Sequence, residues 1–437
     1  MKFFTGEDLM KIKYGVSYKE LLEKPEKKQK KPSRPSFFFR TLIRTLSIPD
    51  LVATKFKYTS VGMEKLSKKE PCFILMNHSS FIDLKIASRI LYPRKYNIVC
   101  TSDGFIGKNW LMRQIGCIPT KKFVSEVSLL HDMLYAVKRY NSSILMYPEA
   151  SYSFDGTATP LPESLGRCVK MFGLPVVTIR TDGAFLRDPL YNNLQLRKTQ
   201  VTAEVEYLLS PEQIKEMTPR QINELLREKF SFDNFRSQQQ KGVKIDEDFR
   251  ADHLNRVLYK CPHCLAEGQT EGKGTTLTCH ACGKQYELTE DGFMRAIEGE
   301  TEFDHIPDWY AWERENVRRE LEDGTYSLDV AVDIYAMVDT DCIYSIGEGR
   351  LTHNREGFHL VGCDGELDYI QSPLSSYSLY ADYYWYKLGD IICIGDKKML
   401  YYCFPKDCGD VVAKTRLAAE ELYKIVRAEK RSARKET

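Results

Sequence analysis

Residues 72–83 read Cys-Phe-Ile-Leu-Met-Asn-His-Ser-Ser-Phe-Ile-Asp, and two of them, His78 and Asp83, are a pair able to move a proton. A carboxylate bound to one imidazole nitrogen fixes the tautomer and stabilises the imidazolium, leaving the other nitrogen to accept a proton. Such a pair needs no serine or cysteine nucleophile. Its natural use is to deprotonate a substrate hydroxyl for direct attack on an acyl group. The plainer alternative is a histidine closing a strand and an aspartate at a helix N-terminus, where negative charge is favoured.

The flanking residues predict how the pair is positioned. Cys72 to Met76 is an apolar run of the length of a strand buried on both faces, and Asn77 to Ser80 are polar turn formers. Phe81, Ile82, Leu84, Ile86, Ala87, Ile90 and Leu91 then recur at helical spacing. His78 is therefore expected at a strand end and Asp83 in the first turn of the next helix. Further strands are expected at 97–102, 143–148, 175–180 and 200–208, with a helix over 125–140. This alternation predicts an α/β layer with a largely parallel sheet, whose ligands sit beyond the carboxyl ends of the strands. Tyr147-Pro148-Glu149-Ala150-Ser151 follows a second strand end, so the two polar stretches are expected to form one site.

Composition bounds the rest. A chain of 437 residues holds two to four domains, and 43 % hydrophobic with 28 % charged residues fits a globular protein. A formal net charge of +2 gives no global sign of nucleic-acid binding. No run approaches the ~18 apolar residues of a membrane span, and no signal-peptide core opens the chain. The thirteen cysteines are an odd number, many inside strand-like segments, which suits free thiols in a reducing cytoplasm. Before residue 58, Lys24, Lys27, Lys28, Lys30, Lys31 and Arg34 crowd a linker not expected to fold by itself. Ser36–Ser47 follows with Phe38, Phe39, Leu42, Ile43 and Leu46 on one helical face and Arg40 and Arg44 on the other. This is the pattern of a helix lying in a membrane interface beside anionic lipid, or of a helix packed on the next domain. The expected location is cytoplasmic and peripheral, on the inner face of a phospholipid membrane.

Four motifs in order resemble the glycerolipid acyltransferase family, that of the 1-acylglycerol-3-phosphate acyltransferases. Asn77, His78 and Asp83 meet its N-H-x4-D motif. Gly116-Cys117-Ile118-Pro119-Thr120-Lys121-Lys122 is similar to its second, Tyr147-Pro148-Glu149-Ala150-Ser151-Tyr152-Ser153 to its third and Leu174-Pro175-Val176-Val177 to its fourth. The resemblance covers roughly residues 59–210. It implies His78 as general base, Asp83 as its orienting partner, and a substrate bound by Asn77, Lys121, Lys122, Glu149 and Ser151, with Lys122 or Lys121 and Glu149 positioning the acceptor. The acyl donor would be a thioester of coenzyme A or acyl carrier protein. The sequence departs from the family pattern at Ala150, where glycine is usual, and at Tyr152, where arginine is common. Lys122 also replaces an arginine, and lysine does not bind phosphate bidentately. Arg167, Lys170 or Arg180 could supply the missing charge.

Cys261-x2-Cys264-x14-Cys279-x2-Cys282 has the spacing of two knuckles around a tetrahedral thiolate metal site, and resembles a structural zinc ribbon. His263 and His280 are close enough to compete as ligands. Glu267, Glu271, Glu287 and Glu290 outnumber Lys273 and Lys284 nearby, which disfavours nucleic acid. Beyond about 293, strand-like segments at 328–338, 342–352, 357–363, 367–371, 376–387, 390–395 and 398–404 precede a helix, Thr415–Arg427. Their order, with Gly347-Glu348-Gly349-Arg350-Leu351 leading to Gly357-Phe358-His359-Leu360, resembles the pleckstrin-homology and GRAM-like small barrels. The aromatic cluster Tyr377, Tyr380, Tyr383, Tyr384, Trp385 and Tyr386 is expected to be core and strand-pair packing. The domains expected are a basic amphipathic arm (1–58), an acyltransferase domain (59–245), a zinc ribbon region (246–292) and a β-rich PH/GRAM-like domain with a terminal helix (293–437). The expected function is O-acyl transfer to a lysophospholipid hydroxyl, most directly that of 1-acylglycerol-3-phosphate. The alternative is a lipid-binding or scaffolding protein on an acyltransferase fold that no longer turns over.

Overall fold

The computed structural model describes residues 10–25, 27, 30–124 and 127–436. Residues 1–9 of the arm, Lys28 of the basic linker and positions 125–126 of the expected helix lie outside the described residues. The first strand, β1 (Ile12–Lys13), does not belong to the domain that follows it in the chain. It pairs in parallel with Ile343 and Tyr344 near the other end of the molecule. Lys24 lies over the Tyr344 ring and Lys27 pairs with Asp339 and Asp341. The first part of the basic linker thus meets acidic residues of the C-terminal domain, whereas Lys31 reaches Asp132 at 3.7 Å and lies over the Tyr135 ring of the domain that follows.

Seven strands, β2 (Lys57–Val61), β3 (Phe73–Met76), β4 (Tyr96–Thr101), β5 (Cys117–Thr120), β6 (Ser143–Met146), β7 (Val176–Asp182) and β8 (Thr202–Leu209), form the first sheet. Their order is β2-β8-β7-β3-β6-β4-β5. All neighbours run parallel except β7 and β8, so the sheet is largely parallel. β3 is central and wholly buried, and its alternate side chains serve two cores. Ile74 and Met76 face the helices Phe37–Ala53 and Asp83–Leu91, whereas Phe73 and Leu75 face Val127–Tyr140, Leu165–Phe172 and Pro219–Lys229. Each such side chain contributes about 1.5–3 kcal/mol by burial. β2 straddles the arm boundary expected at 58, because Lys57–Val61 adds to β8 as an edge.

The helix expected over Ser36–Ser47 extends over Phe37–Ala53, and of its two stripes it is the polar one that packs on the domain. The polar side packs inward. Ser47 is buried, Arg40 donates to the carbonyls of Pro93 (2.9 Å) and Arg94 (3.0 Å), Arg44 lies over the Tyr92 ring, and Asp50 pairs with Lys85 and Arg187. The apolar side points outward: Phe38 and Leu46 are each 66 % exposed and Val52 70 %. Trp110, also 66 % exposed, meets Phe39 edge-on at 5.5 Å and enlarges this patch.

A small antiparallel sheet follows, β9 (Thr270–Lys273), β10 (Thr276–Cys279), β11 (Gln285–Leu288) and β12 (Met294–Ala296), in the order β12-β11-β10-β9. After the helix Ile306–Glu322 come β13 (Leu328–Met337), β14 (Ile343–Asn354), β15 (Gly357–Gly362), β16 (Leu367–Gln371), β17 (Tyr380–Trp385), β18 (Gly389–Gly395) and β19 (Leu400–Pro405). These are antiparallel throughout, in the order β16-β15-β14-β13-β19-β18-β17. The terminal helix, Val412–Glu436, is longer at both ends than the expected Thr415–Arg427. Among the described residues no helix is long and apolar enough to cross a membrane.

Candidate active site

β3 ends where Asn77 diverts its hydrogen bonds sideways. Asn77 is fully buried, and its Oδ1 accepts from the Thr181 N–H (2.7 Å) and hydroxyl (3.1 Å), while Nδ2 donates to the Thr181 carbonyl (3.2 Å) and Ser79 Oγ (3.0 Å). It ties the end of β3 to the end of β7 and does not line the cavity described below. Asp83 opens the next helix. Its Oδ2 accepts from the backbone N–H of Ser79 (2.9 Å) and Ser80 (3.1 Å), and the same oxygen meets His78 Nδ1 at 3.0 Å. Anchoring the turn and orienting the imidazole are therefore one arrangement, not two alternatives.

Burial holds His78 below the ordinary imidazole value, against the opposing pull of Asp83. The ring is neutral at pH 7; with Nδ1–H given to Asp83, Nε2 is the acceptor. Tyr147 and Tyr152 sandwich the ring at centroid distances of 4.2 and 4.0 Å, and 19 % of the side chain stays exposed. Glu149 lies behind the histidine. Its Oε2 accepts from the His78 N–H at 2.8 Å and its Oε1 from the Thr159 N–H at 3.4 Å. Burial pushes its carboxyl up to about 8, so it is protonated at neutral pH. Ala150 takes φ 58°, the left-handed conformation that suits glycine; a Cβ there costs about 1–2 kcal/mol. Ser151 is buried, and its hydroxyl accepts from Arg416 Nη2 at 2.9 Å, while Arg416 Nη1 donates to the Tyr152 carbonyl at 3.2 Å.

These loops open onto a single cavity of about 1960 Å³, larger than the ~300–1,000 Å³ usual for small-molecule sites. His78, Asp83, Lys121 and Lys122 line it; Asn77, Glu149 and Ser151 do not. Lys122 sits 4.0 Å over the Tyr380 ring, and Lys121 donates to the Lys397 carbonyl. Of the three alternative cations, Arg167 lines the cavity. Lys170 instead donates to the carbonyls of Lys215 and Met217, and Arg180 reaches toward Glu204 at 3.8 Å, because both leave their elements away from the site.

Residues 57–182 match the family model described as Acyltransferase. The match marks an acyltransferase-fold domain over these residues. The crystal structure of the 1-acyl-sn-glycerophosphate (LPA) acyltransferase, PlsC, from Thermotoga maritima is similar at 14 % identity, covering 44 % of this chain and 79 % of that one, with a TM-score of 0.36. No curated protein matches.

One wall of the cavity comes from outside the acyltransferase domain. β17 turns Tyr380, Asp382 and Trp385 into it, and Asp103 at the end of β4 accepts from the Tyr380 hydroxyl (2.6 Å) and the Trp385 indole (3.1 Å). Burial pushes Asp382 up to about 7 although Lys122 draws it down. The aromatic cluster expected as packing is therefore both packing and cavity wall. Arg416, Asp103 and Asp382 were not among the expected site residues, and no local pattern marks them. Arg416 reads only as one polar residue on an amphipathic helix.

The four cysteines form a separate centre. Cys261 Sγ lies 3.9 Å from Cys282 Sγ, Cys264 Sγ lies 3.7 Å from Cys279 Sγ, and all four fall within 4.8 Å of one another. Four sulfurs at about 2.3 Å from a tetrahedral zinc would be about 3.8 Å apart, so the set fits such an ion. His263 is drawn away to Glu302 (3.1 Å) and His280 to Glu271 (2.9 Å), outside the thiol cluster.

Proposed function

We propose that this protein is an O-acyltransferase that moves a fatty acyl group from an acyl thioester to the hydroxyl of a lysophospholipid, with 1-acylglycerol-3-phosphate as the first acceptor to test. The observation that carries this reading is the His78–Asp83 pair, 3.0 Å apart, on the wall of a large and mostly apolar cavity. The acceptor hydroxyl gives its proton to His78 Nε2 as its oxygen attacks the thioester carbonyl. Collapse of the tetrahedral intermediate breaks the carbon–sulfur bond, and the imidazolium returns the proton to the departing thiolate. The thiols on the cavity wall make poor nucleophiles. Burial pushes Cys168 up to about 12, and the neighbouring Cys117 thiol with burial raises Cys100, which favours direct attack over an acyl-enzyme. Lys122 is the cation that acts on His78 electrostatically and is the candidate partner of the acceptor phosphate.

The outward apolar face of Phe37–Ala53 supports work at a phospholipid surface, since such a helix can bury its apolar side chains in the headgroup boundary. Phe81, 57 % exposed, adds an outward apolar side chain on the cavity wall itself. The zinc reading of the four thiols is a structural one, because a closed four-thiolate site leaves no position for catalysis.

The test is acyl transfer by the purified chain to lysophosphatidate in vesicles, with a panel of thioester donors. His78→Ala should lower turnover by ~10²–10⁴-fold with vesicle binding retained, and a Phe38→Ser, Leu46→Ser variant should lose vesicle binding. Vesicle binding with no transfer to any hydroxyl acceptor would refute the enzyme reading in favour of a lipid-binding protein.

A further inference from the structure

The cavity is not uniform in charge. Arg167, Arg227, Lys424, Arg427 and Arg431 line one part of its wall. Glu163 is paired with Arg427, reaches Arg431 at 3.8 Å and feels the charge of Arg227. Lys424 pairs with a different carboxylate, Glu421, at 2.6 Å. Arg167 and Arg227 make no salt bridge among the described residues. Five cations thus meet two carboxylates, Glu163 and Glu421, so among the described residues this rim keeps an excess of positive charge.

The fold assembles the rim deliberately from three helices. A Cβ on Gly166 would lie 2.1 Å from the Pro219 carbonyl oxygen, so Leu165–Phe172 touches the start of Pro219–Lys229 backbone to backbone. Asn223 locks the contact, accepting from the Gly166 N–H (2.7 Å) and donating to the Glu163 carbonyl (2.7 Å). That contact brings Arg167 and Arg227 to one edge. The terminal helix completes it with Lys424, Arg427 and Arg431, held by the Arg427–Glu163 pair.

The position of the rim identifies what it serves. Helices Leu165–Phe172 and Pro219–Lys229 cover the sheet face that takes Phe73 and Leu75. The outward-facing apolar helix Phe37–Ala53 covers the opposite face. A membrane-borne acceptor approaches from the apolar side, and the basic rim is left to a water-soluble substrate. The cations lie on a concave wall, which a small polyanion can enter. Four of the five are guanidinium groups, whose planar forks bind phosphate oxygens in pairs.

We propose that this rim is the docking site for the nucleotide phosphates of coenzyme A, the carrier of the acyl donor. The proposal rests on the acyl-transfer reading and adds to it the carrier and the residues that select it. The terminal helix, outside the matched acyltransferase region, is then part of the donor site.

The test uses the full chain and three probes: coenzyme A, pantetheine, which lacks the phosphates, and acyl carrier protein. Calorimetric titration should show coenzyme A binding that weakens at least tenfold in Arg167→Glu, Arg431→Glu and weakens with added salt. The ratio of kcat/KM for acyl-coenzyme A over acyl-pantetheine should fall at least tenfold in the same variant. Because both positions are exposed, loss of fold is checked by the melting curve, and Arg167→Gln, Arg431→Gln provides a milder second variant. Equal coenzyme A binding in wild type and variants overturns the proposal while leaving acyl transfer intact. Turnover with acyl carrier protein but no coenzyme A binding overturns it in favour of a protein carrier. Arginine-dependent coenzyme A binding without transfer to any acceptor upholds this site and refutes the acyl-transfer reading instead.

Discussion

The cysteine cluster and the His78 site are built over different distances along the chain. All four thiols come from one stretch, Cys261–Cys282, on and beside adjacent strands. His78 and Asp83 are equally local, but the loop that carries Glu149 and Tyr152 is held by Arg416 from the terminal helix. One centre is complete within its own segment. The other has a local chemical pair and a remote support. The difference teaches that residue spacing shows a local pair, while the parts that position it can lie anywhere the fold brings them.

Metal removal should break the local centre most severely. Apparent zinc-binding energies of structural sites in finger peptides are about 10–16 kcal/mol and act as folding energy. Chelation, or Cys279→Ser, should therefore abolish stoichiometric zinc binding and unfold the ribbon. Trp309 reports this. It is fully buried, packs edge-on to Tyr286 at 5.0 Å and donates to the Lys260 carbonyl at 3.0 Å, so its emission should shift to the red. Unchanged Trp309 emission after complete metal removal would mean that the ribbon is held by its packing and not by the ion.

The remote support should show a smaller effect of another kind. Arg416→Gln removes donors to Ser151 and the Tyr152 carbonyl, and should lower kcat by ten- to a hundredfold, an estimate of about 1.4–2.8 kcal/mol, with KM for the donor little changed. Arg416→Lys should recover only part, since an ammonium cannot reproduce the fork. Glu420 keeps Arg314 as a partner at 2.7 Å, so the buried carboxylate is not stranded. Wild-type kcat in Arg416→Gln would show that the loop holds its shape unaided, and the two centres would then be alike.

The same contrast explains what the sequence made legible. The apolar run Cys72–Met76, its polar stop and the restart at Phe81 predicted strand, turn and helix, since burial on both faces and a capped turn are local constraints. The seven C-terminal strands were also legible from their turn residues. The inverted helix was not. Its apolar and polar stripes were visible, but which one faces inward depends on the carbonyls of Pro93 and Arg94 and on Lys85 and Arg187. Asn77 and Glu149 were legible as motif members but not as supports: nothing in their types says that Asn77 spends its bonds on Thr181 or that Glu149 lies behind the His78 backbone.

Glu149 gives the subtlest distinction between a supporting group and a reacting one. Its folded-state carboxyl lies at about 8 against an ordinary value of 4.5. Between these values the folded chain keeps a proton that the unfolded chain has lost, so stability falls as pH rises through that window and levels off above about 8. Glu149→Gln should remove this contribution. A series of urea unfolding curves from pH 5 to pH 9 should show wild type losing stability relative to the variant up to about pH 8, with parallel profiles beyond. The acid limb of kcat/KM should nonetheless stay below pH 6.5 in both, because in the proposed mechanism His78, held low by burial, is the group that must be neutral. A variant that moves the acid limb but leaves the stability slope intact would assign the proton transfer to Glu149 and make it part of the reacting centre.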